Sequence, residues 1–374
     1  MLRERTIMRV IVDQNELTQA LQKAIRMINP QNTMAVLSGI ELHAQADTLQ
    51  VFSTDLTSAL TLGVPARIEE PGRTVVSAHT FTDLIRRLPT ATVELVEKHD
   101  GRLQVRYGKN RATLQTFGDE LLPEFPDVDG VSLQLPAYTF QRLSKEVLFA
   151  CSRDDTRGVL RGVGLTYGHG RLVFEGTDGS RFSQTWIAVP EFLAEPKTVV
   201  LPTKAILEAA RLEDDRSARL TLGSKLARID AERSVLAMRF LEGVYPDLSH
   251  AAPEQYVAVC RLSPSEFRTA LERVQLITAK DNMSTIRLRQ LTDQGIELSS
   301  SSLDVGSAVE MLECESHGEE LDLLFNPQYL IDALKALSGD DVLFELSGAQ
   351  SAARIRSSDS PNFFHAVLPM RQLV

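Results

Sequence analysis

The chain has 374 residues, of which 43% are apolar and 24% are charged, and this composition excludes a disordered chain and fits two or three globular domains. No apolar run reaches the roughly 18 residues that span a bilayer, and the charged segment Met1–Ile7 lacks the apolar core of a secretory signal. The net charge of −10 argues against a surface coated by nucleic acid, although a single basic face remains compatible with it. Cys151, Cys260 and Cys314 are odd in number and far apart, which argues against a disulfide scaffold and predicts a cytoplasmic protein.

Helical spacing of apolar residues predicts three amphipathic helices, each followed by an alternating strand and its hairpin partner. The helices fall near residues 17–28, 140–148 and 267–274. The strands after them contain Ile40 and Leu42, then Val163 and Leu165, then Ile286 and Leu288, with a step of 123 residues both times. The hairpin partners are residues 49–51, 172–174 and 296–298. A fixed step of this size is typical of an internal repeat.

The second half of each copy repeats as well. A strand leads into a second helix near His79–Leu88, Lys204–Leu212 and Pro327–Leu337, and the first two copies close with Phe125-Pro126-Asp127 and Tyr245-Pro246-Asp247. We therefore expect an α+β protein of three similar domains, each with two helices and about eight strands. The predicted boundaries are 1–129, 130–254 and 255–374. Short linkers without Gly/Ser enrichment favour a rigid arc over three domains strung as beads.

Five segments in this repeat are similar to the bacterial sliding clamp family, the beta subunits of DNA polymerase III. They are Ser53-Thr54-Asp55-Leu56, Gly176-Thr177-Asp178-Gly179-Ser180-Arg181, Glu242-Gly243-Val244-Tyr245-Pro246-Asp247, Phe325-Asn326-Pro327-Gln328-Tyr329-Leu330 and Leu368-Pro369-Met370-Arg371. The resemblance covers essentially the whole chain from Met8 onward. Met1–Ile7 is then an extension before the usual family start, and we expect it to be poorly ordered.

The resemblance implies the clamp fold and a head-to-tail homodimer, in which two three-domain arcs close into a ring with helices lining the hole. The ring would encircle duplex DNA without sequence preference. It would tether the polymerase III alpha subunit, raising processivity through effective concentration. The clamp loader, other polymerases and repair proteins would bind through short linear motifs. The family binds no cofactor and has no active site. Two alternatives stay open: an enzyme with an unrecognised site, and a specialised second clamp.

The sequence lacks the motifs of common catalytic and metal sites. Gly162-Val163-Gly164 has the wrong spacing for a dinucleotide loop and is predicted to lie on a strand. Asp178 precedes a glycine, so it is expected to organise a turn rather than to act as a catalytic carboxylate. No Walker A motif occurs, and the seven histidines show no metal-ligand spacing. These observations disfavour an enzyme.

Basic residues occur on all six helices that the family places around its hole. Each of them alone is compatible with an ordinary solvated helix face, but six basic helices in an acidic chain favour a DNA-facing lining. The predicted DNA-facing residues, with Arg153 in the loop after the third helix, are Lys23, Arg26, Arg86, Arg87, Arg142, Lys145, Arg153, Lys204, Arg211, Arg268, Arg273 and Lys335. Gln31 and His79 stand where some relatives have basic residues, which predicts weaker binding.

The resemblance also assigns the dimer interface. It places Ala112 and Leu114 of one subunit against Leu276 and Ile277 of the other. Ordinary core packing is the alternative for each of these aliphatic residues. Ala112 replaces a bulkier aromatic residue of some relatives, so the interface is expected to be weaker or rearranged.

The last assignment is a pocket that takes the linear motifs of partner proteins. The matching positions are Arg157, Leu160, Thr177, Gly179, Arg181, Phe182, Pro246, Tyr329, Val367, Leu368, Pro369, Met370 and Arg371. Leu160, Phe182, Pro246, Val367 and Leu368 are expected to form an apolar floor, with Met370 as an adaptable wall and Arg157 and Arg181 at the rim. Residues 367–370 are also expected to be the closing edge strand. Ser180, Phe182, His250 and the tail Gln372-Leu373-Val374 depart from the family pattern, as a clamp that rejects some ligands would require.

Overall fold

The computed structural model describes residues 8–29, 33–89, 91–98, 101–190, 196–212, 217–278, 284–292 and 294–371. The predicted extension Met1–Ile7, the tail Gln372–Val374 and Gln31 lie outside the described residues.

The helices and strands follow the predicted repeat. The first copy contains β1 (Arg9–Asp13), α1 (Gln14–Ala24), β2 (Gly39–Gln45), β3 (Thr48–Thr54), β4 (Ser58–Glu70), β5 (Gly72–Ser77), α2 (Ala78–Arg86), β6 (Thr92–Lys98), β7 (Arg102–Tyr107) and β8 (Asn110–Gln115). The central copy contains β9 (Val131–Leu135), α3 (Thr139–Glu146), β10 (Gly162–Gly168), β11 (Arg171–Thr177), β12 (Arg181–Ala188), β13 (Lys197–Pro202), α4 (Thr203–Leu212), β14 (Ala218–Leu222), β15 (Leu226–Ala231) and β16 (Ser234–Arg239).

The third copy contains β17 (Ala258–Leu262), α5 (Pro264–Thr278), β18 (Ile286–Leu291), β19 (Gly295–Ser302), β20 (Gly306–Leu312), β21 (Glu315–Gly318), β22 (Leu321–Phe325), α6 (Pro327–Ala336), β23 (Val342–Leu346), β24 (Ala353–Ser357) and β25 (Phe363–Val367). Its ninth strand has a simple origin. The long β4 pairs with β3 along one half and with β1 along the other. In the third copy these roles are divided, because β20 pairs with β19 while β21 pairs with β17.

Local chemistry explains where the helices begin and which face they bury. Asp13 caps α1 by accepting hydrogen bonds from the backbone amides of Asn15 at 2.8 Å and Glu16 at 3.0 Å. Leu17, Ala20, Leu21 and Ala24 are buried along the face of α1 that the apolar spacing predicted. In the third copy, the side chain of Asn326 caps α6 and Pro327 occupies its first turn.

A hydrogen-bonded turn recurs between the third and fourth strands of the first two copies. Asp178 Oδ1 accepts from the amides of Ser180 and Arg181, and Asp55 Oδ1 accepts from the two equivalent amides in the first copy. Asp178 therefore organises its turn as predicted. The third residue of the turn has positive φ, which suits Gly179 at 90° but forces Leu56 to 71°.

The strands of the described residues form three antiparallel sheets, which are divided between two compact units. One unit comprises residues up to Thr139 together with Glu208–Phe240, and it contains a sheet of 12 strands. The other comprises Phe140–Leu207 together with Leu241 onward, and it contains sheets of 9 and 4 strands. The central copy is thus shared between the units, so the expected three-domain boundaries remain a prediction about the repeat.

The cores of both units consist of aliphatic and phenylalanine side chains. In the second unit, Phe344 lies between Phe267 and Phe325, with ring centroids 5.6 Å and 6.1 Å away. Gly164 is required on β10 because a Cβ atom there would lie 2.5 Å from the Tyr245 ring. A Cβ atom at Gly162 would lie 2.4 Å from Val200, so both glycines are needed for close packing on this segment, which is a strand as predicted. Among the described residues, no helix is both long and apolar enough to cross a bilayer.

Candidate functional site: a peptide-sized cavity beside a buried arginine

A large cavity lies in the second unit, where β12 and β25 pair. Its volume is about 830 Å³, within the range of sites that bind small ligands or peptide side chains. We call it the Phe182 cavity. Its lining residues are Leu160, Thr177, Gly179, Ser180, Arg181, Phe182, Val244, Tyr245, Pro246, Asp247, Leu248, His250, Ala251, Pro253, Gln350, Ser351, Ala352, Ala366 and Leu368.

Phe182 is held rigidly in the wall of this cavity. It lies opposite Ala366 in the β12–β25 ladder and packs edge-on against Phe364, with ring centroids 5.3 Å apart. Leu248, Ala251 and Ala352 complete the same apolar cluster. An edge-on aromatic pair is stabilised by about 0.5–1.5 kcal/mol beyond the burial of its apolar area, which favours this side-chain position. The cavity therefore offers a preformed apolar wall to a ligand.

Arg181 lies beside the cavity, and its guanidinium is fully engaged. It donates to Asp178 Oδ2 at 2.9 Å, to Asp332 Oδ2 at 2.8 Å and to the backbone oxygen of Phe149 at 2.6 Å. Its guanidinium also lies 4.2 Å from the centre of the Tyr329 ring. Only 7% of its side chain is exposed. Arg181 is thus a structural connection between the central and third copies, not the free rim cation that the sequence predicted.

A buried histidine lies on the core side of the same strand pair. His365 is opposite Ser183 in the ladder, and its Nδ1 lies 2.6 Å from Ser183 Oγ. Its ring packs at 5.1 Å from that of Phe149, and complete burial with the nearby Arg181 lowers the pKa of His365 to about 3. The imidazole is therefore neutral at physiological pH.

A smaller polar depression of about 430 Å³ adjoins Arg181. Arg157 and Tyr329, predicted for the partner pocket, line it together with Arg153, which was predicted to face DNA. Cys151 lies at its base, where burial raises the pKa of the thiol to about 12. The thiol is therefore protonated and unreactive at neutral pH.

The structure brings together seven of the thirteen predicted pocket residues around the Phe182 cavity, namely Leu160, Thr177, Gly179, Arg181, Phe182, Pro246 and Leu368. Val367, expected on the apolar floor, is instead fully buried in the core, because alternate residues of β25 point to opposite faces. Pro369, Met370 and Arg371 line neither this cavity nor the polar depression. Met370 instead donates its backbone amide to Leu324 O at 2.7 Å.

Sequence reasoning missed several lining residues. Val244, Leu248, Ala251 and Ala352 contribute to the cavity, and Val244 is 93% exposed. The segment from Val244 to Pro253 contains the repeated closing motif Tyr245-Pro246-Asp247. This motif was the sequence signal that could have indicated its neighbours as lining residues. Ala352 lies in the loop between β23 and β24, and no local sequence pattern predicts that this loop reaches the cavity.

At least six of the twelve predicted DNA-facing cations have carboxylate partners among the residues that the structure describes. These six pairs are Arg26 with Glu208, Arg86 with Asp83, Arg142 with Glu146, Arg211 with Glu208, Arg268 with Glu272 and Arg273 with Glu310. Glu208 is almost completely buried, whereas Arg86 and Asp83 are both exposed. The positive charge of the helices is therefore lower than the sequence suggested.

The predicted interface positions lie on or beside two edge strands, β8 and β20. Ala112 and Leu114 lie on β8, which ends the 12-stranded sheet, and both are half-buried. Leu276, which is 70% exposed, and Ile277 lie near the end of α5, beside the edge strand β20. β20 also presents Val309, which is 65% exposed. Unpaired strand edges with exposed apolar residues are sites of strand addition.

The described residues contain no group of three or more His, Cys, Asp or Glu side chains that could hold a metal ion.

Three family models together match most of the chain. They describe the N-terminal, central and C-terminal domains of the DNA polymerase III beta subunit, and they match residues 8–128, 134–247 and 250–371. The chain belongs to the DNA polymerase III beta subunit family. Members of this family are sliding clamps, processivity subunits without catalysis, and this chain shares that function. The predicted α+β clamp fold of three similar domains is confirmed.

Individual relatives agree with this assignment. The beta sliding clamp of Bacillus subtilis is 25% identical over 97% of this chain and 100% of its own length. That of Staphylococcus aureus is 26% identical over 94% of this chain and 96% of its own length. The crystal structure of the B. subtilis sliding clamp superposes with a TM-score of 0.93, covering 98% of this chain and 99% of that one. A ligand-bound Pseudomonas aeruginosa clamp, 25% identical, gives 0.91 over 98% and 100%.

Proposed function

We propose that the protein acts as a homodimeric ring that encircles duplex DNA in the cytoplasm and tethers partner proteins through the Phe182 cavity. The observation that carries the proposal is this cavity, because it is large enough for apolar peptide side chains and is preformed. Arg181 is the single Lys or Arg among the described residues that line it, and it is engaged by Asp178 and Asp332. The cavity is therefore suited to the apolar residues of a linear motif, such as those of the polymerase alpha subunit and the clamp loader.

Ring closure would use the two edge strands. β8 of one subunit would pair with β20 of the other, which would cover Leu276 and Val309 and satisfy the open backbone groups of both edges. Charges favour the same pairing. Lys109 and Arg111 lie on or beside β8, whereas Asp304 and Glu313 flank β20. Two such contacts close a head-to-tail dimer.

DNA would contact the helices through phosphates only. Lys23 and Lys335 lie on these helices and Arg87 directly follows α2, and phosphate contacts carry no sequence information. Because Arg26, Arg86 and Arg211 have carboxylate partners, we expect loose binding with a modest salt dependence. Loose contacts allow a ring to slide.

A clamp with a selective cavity is the second candidate. Phe182, which packs against Phe364, forms part of the cavity wall, and Ser180 and His250 stand where the family pattern has other side chains. A P. aeruginosa clamp has been crystallised bound to griselimycin. A wall narrowed by a bulky aromatic residue would discriminate against bulky ligands while accepting extended peptides. Griselimycin binding that is weaker in the wild type than in a Phe182→Leu variant would support this candidate, and equal binding by both proteins would exclude it.

The tethering proposal is tested by titrating a fluorescent polymerase-tail peptide against the wild type and a Leu368→Asp variant. Leu368 lines the cavity and is 44% exposed, so a carboxylate there should repel apolar side chains without disturbing the fold. Leu121→Asp is the matched control, because Leu121 is 42% exposed and lies outside the cavity. We expect micromolar binding that Leu368→Asp abolishes and Leu121→Asp preserves. No binding by the wild type, or equal binding by both variants, would reject the proposal.

A further inference from the structure

A second cavity lies in the first unit, where β4 and β16 pair. Its volume is about 450 Å³. We call it the Ala59 cavity. Its lining residues are Glu41, His43, Gln50, Phe52, Ala59, Thr61, Arg73, Glu124, Phe125, Pro126, Asp127, Val128, Arg228, Val235 and Ala237.

The Ala59 cavity occupies the repeat-equivalent position of the Phe182 cavity. Ala59 precedes Phe182 by 123 residues, the step of the internal repeat. Ala59 lies opposite Ala237 in the β4–β16 ladder, just as Phe182 lies opposite Ala366 in the β12–β25 ladder. The repeated closing segments border the two cavities, Phe125-Pro126-Asp127 in one and Tyr245-Pro246-Asp247 in the other. The fold therefore builds the same kind of recess twice.

The two cavities differ in the size of the side chains at equivalent positions of their walls. Phe182 and Phe364 pack against each other in the second unit. The equivalent positions in the first unit are Ala59 and Val235, since Val235 lies opposite Thr61 as Phe364 lies opposite Gln184. Phe52, Phe125 and Val128 form the surrounding apolar walls. The space that an aromatic pair fills in one unit is thus open to a ligand side chain in the other.

The charged groups of the Ala59 cavity leave an excess of negative charge. Glu41 is buried and bound by Arg73 at 2.6 Å, and Arg228 is bound by Asp230 at 2.6 Å. Burial, with the nearby Arg73, lowers the pKa of His43, so its imidazole is neutral at pH 7.

Two carboxylates remain at the rim. Glu124 is exposed and approaches a cation only at 3.7 Å, from Arg73, which Glu41 already engages. Asp127 forms no ion pair with the residues that the structure describes. A ligand that places a cation at this rim would gain two favourable charge interactions.

We propose that the Ala59 cavity is a second ligand site, which takes a short peptide segment carrying one bulky apolar side chain beside a Lys or Arg. The apolar side chain enters the space left by Ala59 and Val235, and the basic group meets Glu124 and Asp127. The site would give the protein a second and chemically distinct class of peptide partner. It does not depend on what binds in the Phe182 cavity.

The histidines of the two cavities allow each site to be observed separately. His43 lines the Ala59 cavity and His250 lines the Phe182 cavity, so their imidazole NMR signals in ¹³C-histidine-labelled full-length protein report on one site each. The probe is N-acetyl-Phe-Arg-amide, titrated to millimolar concentration, with N-acetyl-Phe-Glu-amide as the matched control. We expect a saturable shift of the His43 signal with the first dipeptide and none with the second. An unmoved His43 signal, or equal shifts with both dipeptides, would overturn the proposal.

Two variants separate the contributions of shape and charge. Ala59→Phe introduces the aromatic residue that stands at the equivalent position 182. It should abolish the His43 shift by filling the space beside Val235. Glu124→Gln with Asp127→Asn changes only exposed residues, so it leaves folding intact and should weaken binding by about 5- to 10-fold. Unaltered affinity in the double variant would contradict the assigned ligand class, whether or not Ala59→Phe folds.

Discussion

Removing the Arg181 guanidinium tests how much this group stabilises the second unit. Arg181→Met keeps the length and apolar stem of the residue but deletes the guanidinium. Its loss leaves the carboxylates of Asp178 and Asp332 and the backbone oxygen of Phe149 without their charged donor. The side chains of the two acids are only 18% and 19% exposed.

The expected destabilisation follows from those environments. Breaking a fully buried ion pair by removing one partner costs about 3–5 kcal/mol. Here, Asp178 keeps its turn amides and Asp332 keeps a hydrogen bond from Gln328 at 2.7 Å, so part of the loss is compensated. We therefore expect Arg181→Met to lower the free energy of unfolding of the second unit by about 3 kcal/mol.

Urea denaturation followed by intrinsic fluorescence measures this loss directly. Trp186 is the single tryptophan of the chain and lies on β12 in the second unit, so its emission reports on that unit. Arg289→Met is the matched control, because Arg289 pairs with Glu297 at 3.4 Å and its side chain is 43% exposed. The control should cost less than about 1 kcal/mol. An equal decrease in the free energy of unfolding in the two variants would refute the view that Arg181 stabilises this unit.

Three further predictions concern strain, protonation and assembly. Leu56→Gly should raise the free energy of unfolding by about 0.5–1 kcal/mol in urea denaturation followed by circular dichroism, because glycine adopts the positive φ of this position without the steric cost of a Cβ atom. A loss of stability would contradict this. The pKa of His365 is lower in the folded protein than in the unfolded chain, so the free energy of unfolding should fall by about 2–3 kcal/mol as the pH is lowered from above 6.5 to 4.5. His365→Gln should remove that part of the pH dependence measured by urea denaturation, and the same pH dependence in the variant would argue against this role. Leu276→Ala with Ile277→Ala should shift the protein toward monomer on dilution in light scattering, and an unchanged mass would count against the β8–β20 interface.

The repeated elements were predictable because periodicity records which face of each element is buried. The spacing of Leu17, Ala20 and Leu21 predicted the buried face of α1, and the step of 123 residues predicted which strands are equivalent. The separation of β20 from β21 was not predictable, because it depends on two different pairing partners rather than on a local pattern.

The candidate site was predictable where it follows the repeat and unpredictable where it depends on side-chain direction. Leu160 and Phe182 line the cavity as the resemblance implied, whereas Val367 points to the core because of its position in the β25 alternation. The charge state of a site also depends on distant partners. The sequence suggested that Arg181 is a free cation, because its partner Asp332 lies 151 residues further along the chain and no local pattern links the two.

Retention on DNA after a single cut tests the central claim most directly. The labelled protein is loaded by its clamp loader onto nicked circular duplex DNA, separated from free protein by gel filtration, and divided into two samples. One sample is linearised with a restriction enzyme that cuts once, and the other is treated with heat-inactivated enzyme. A ring held by topology remains on the circles and slides off the linear DNA. Equal retention on both, or equal loss from both, would contradict encirclement.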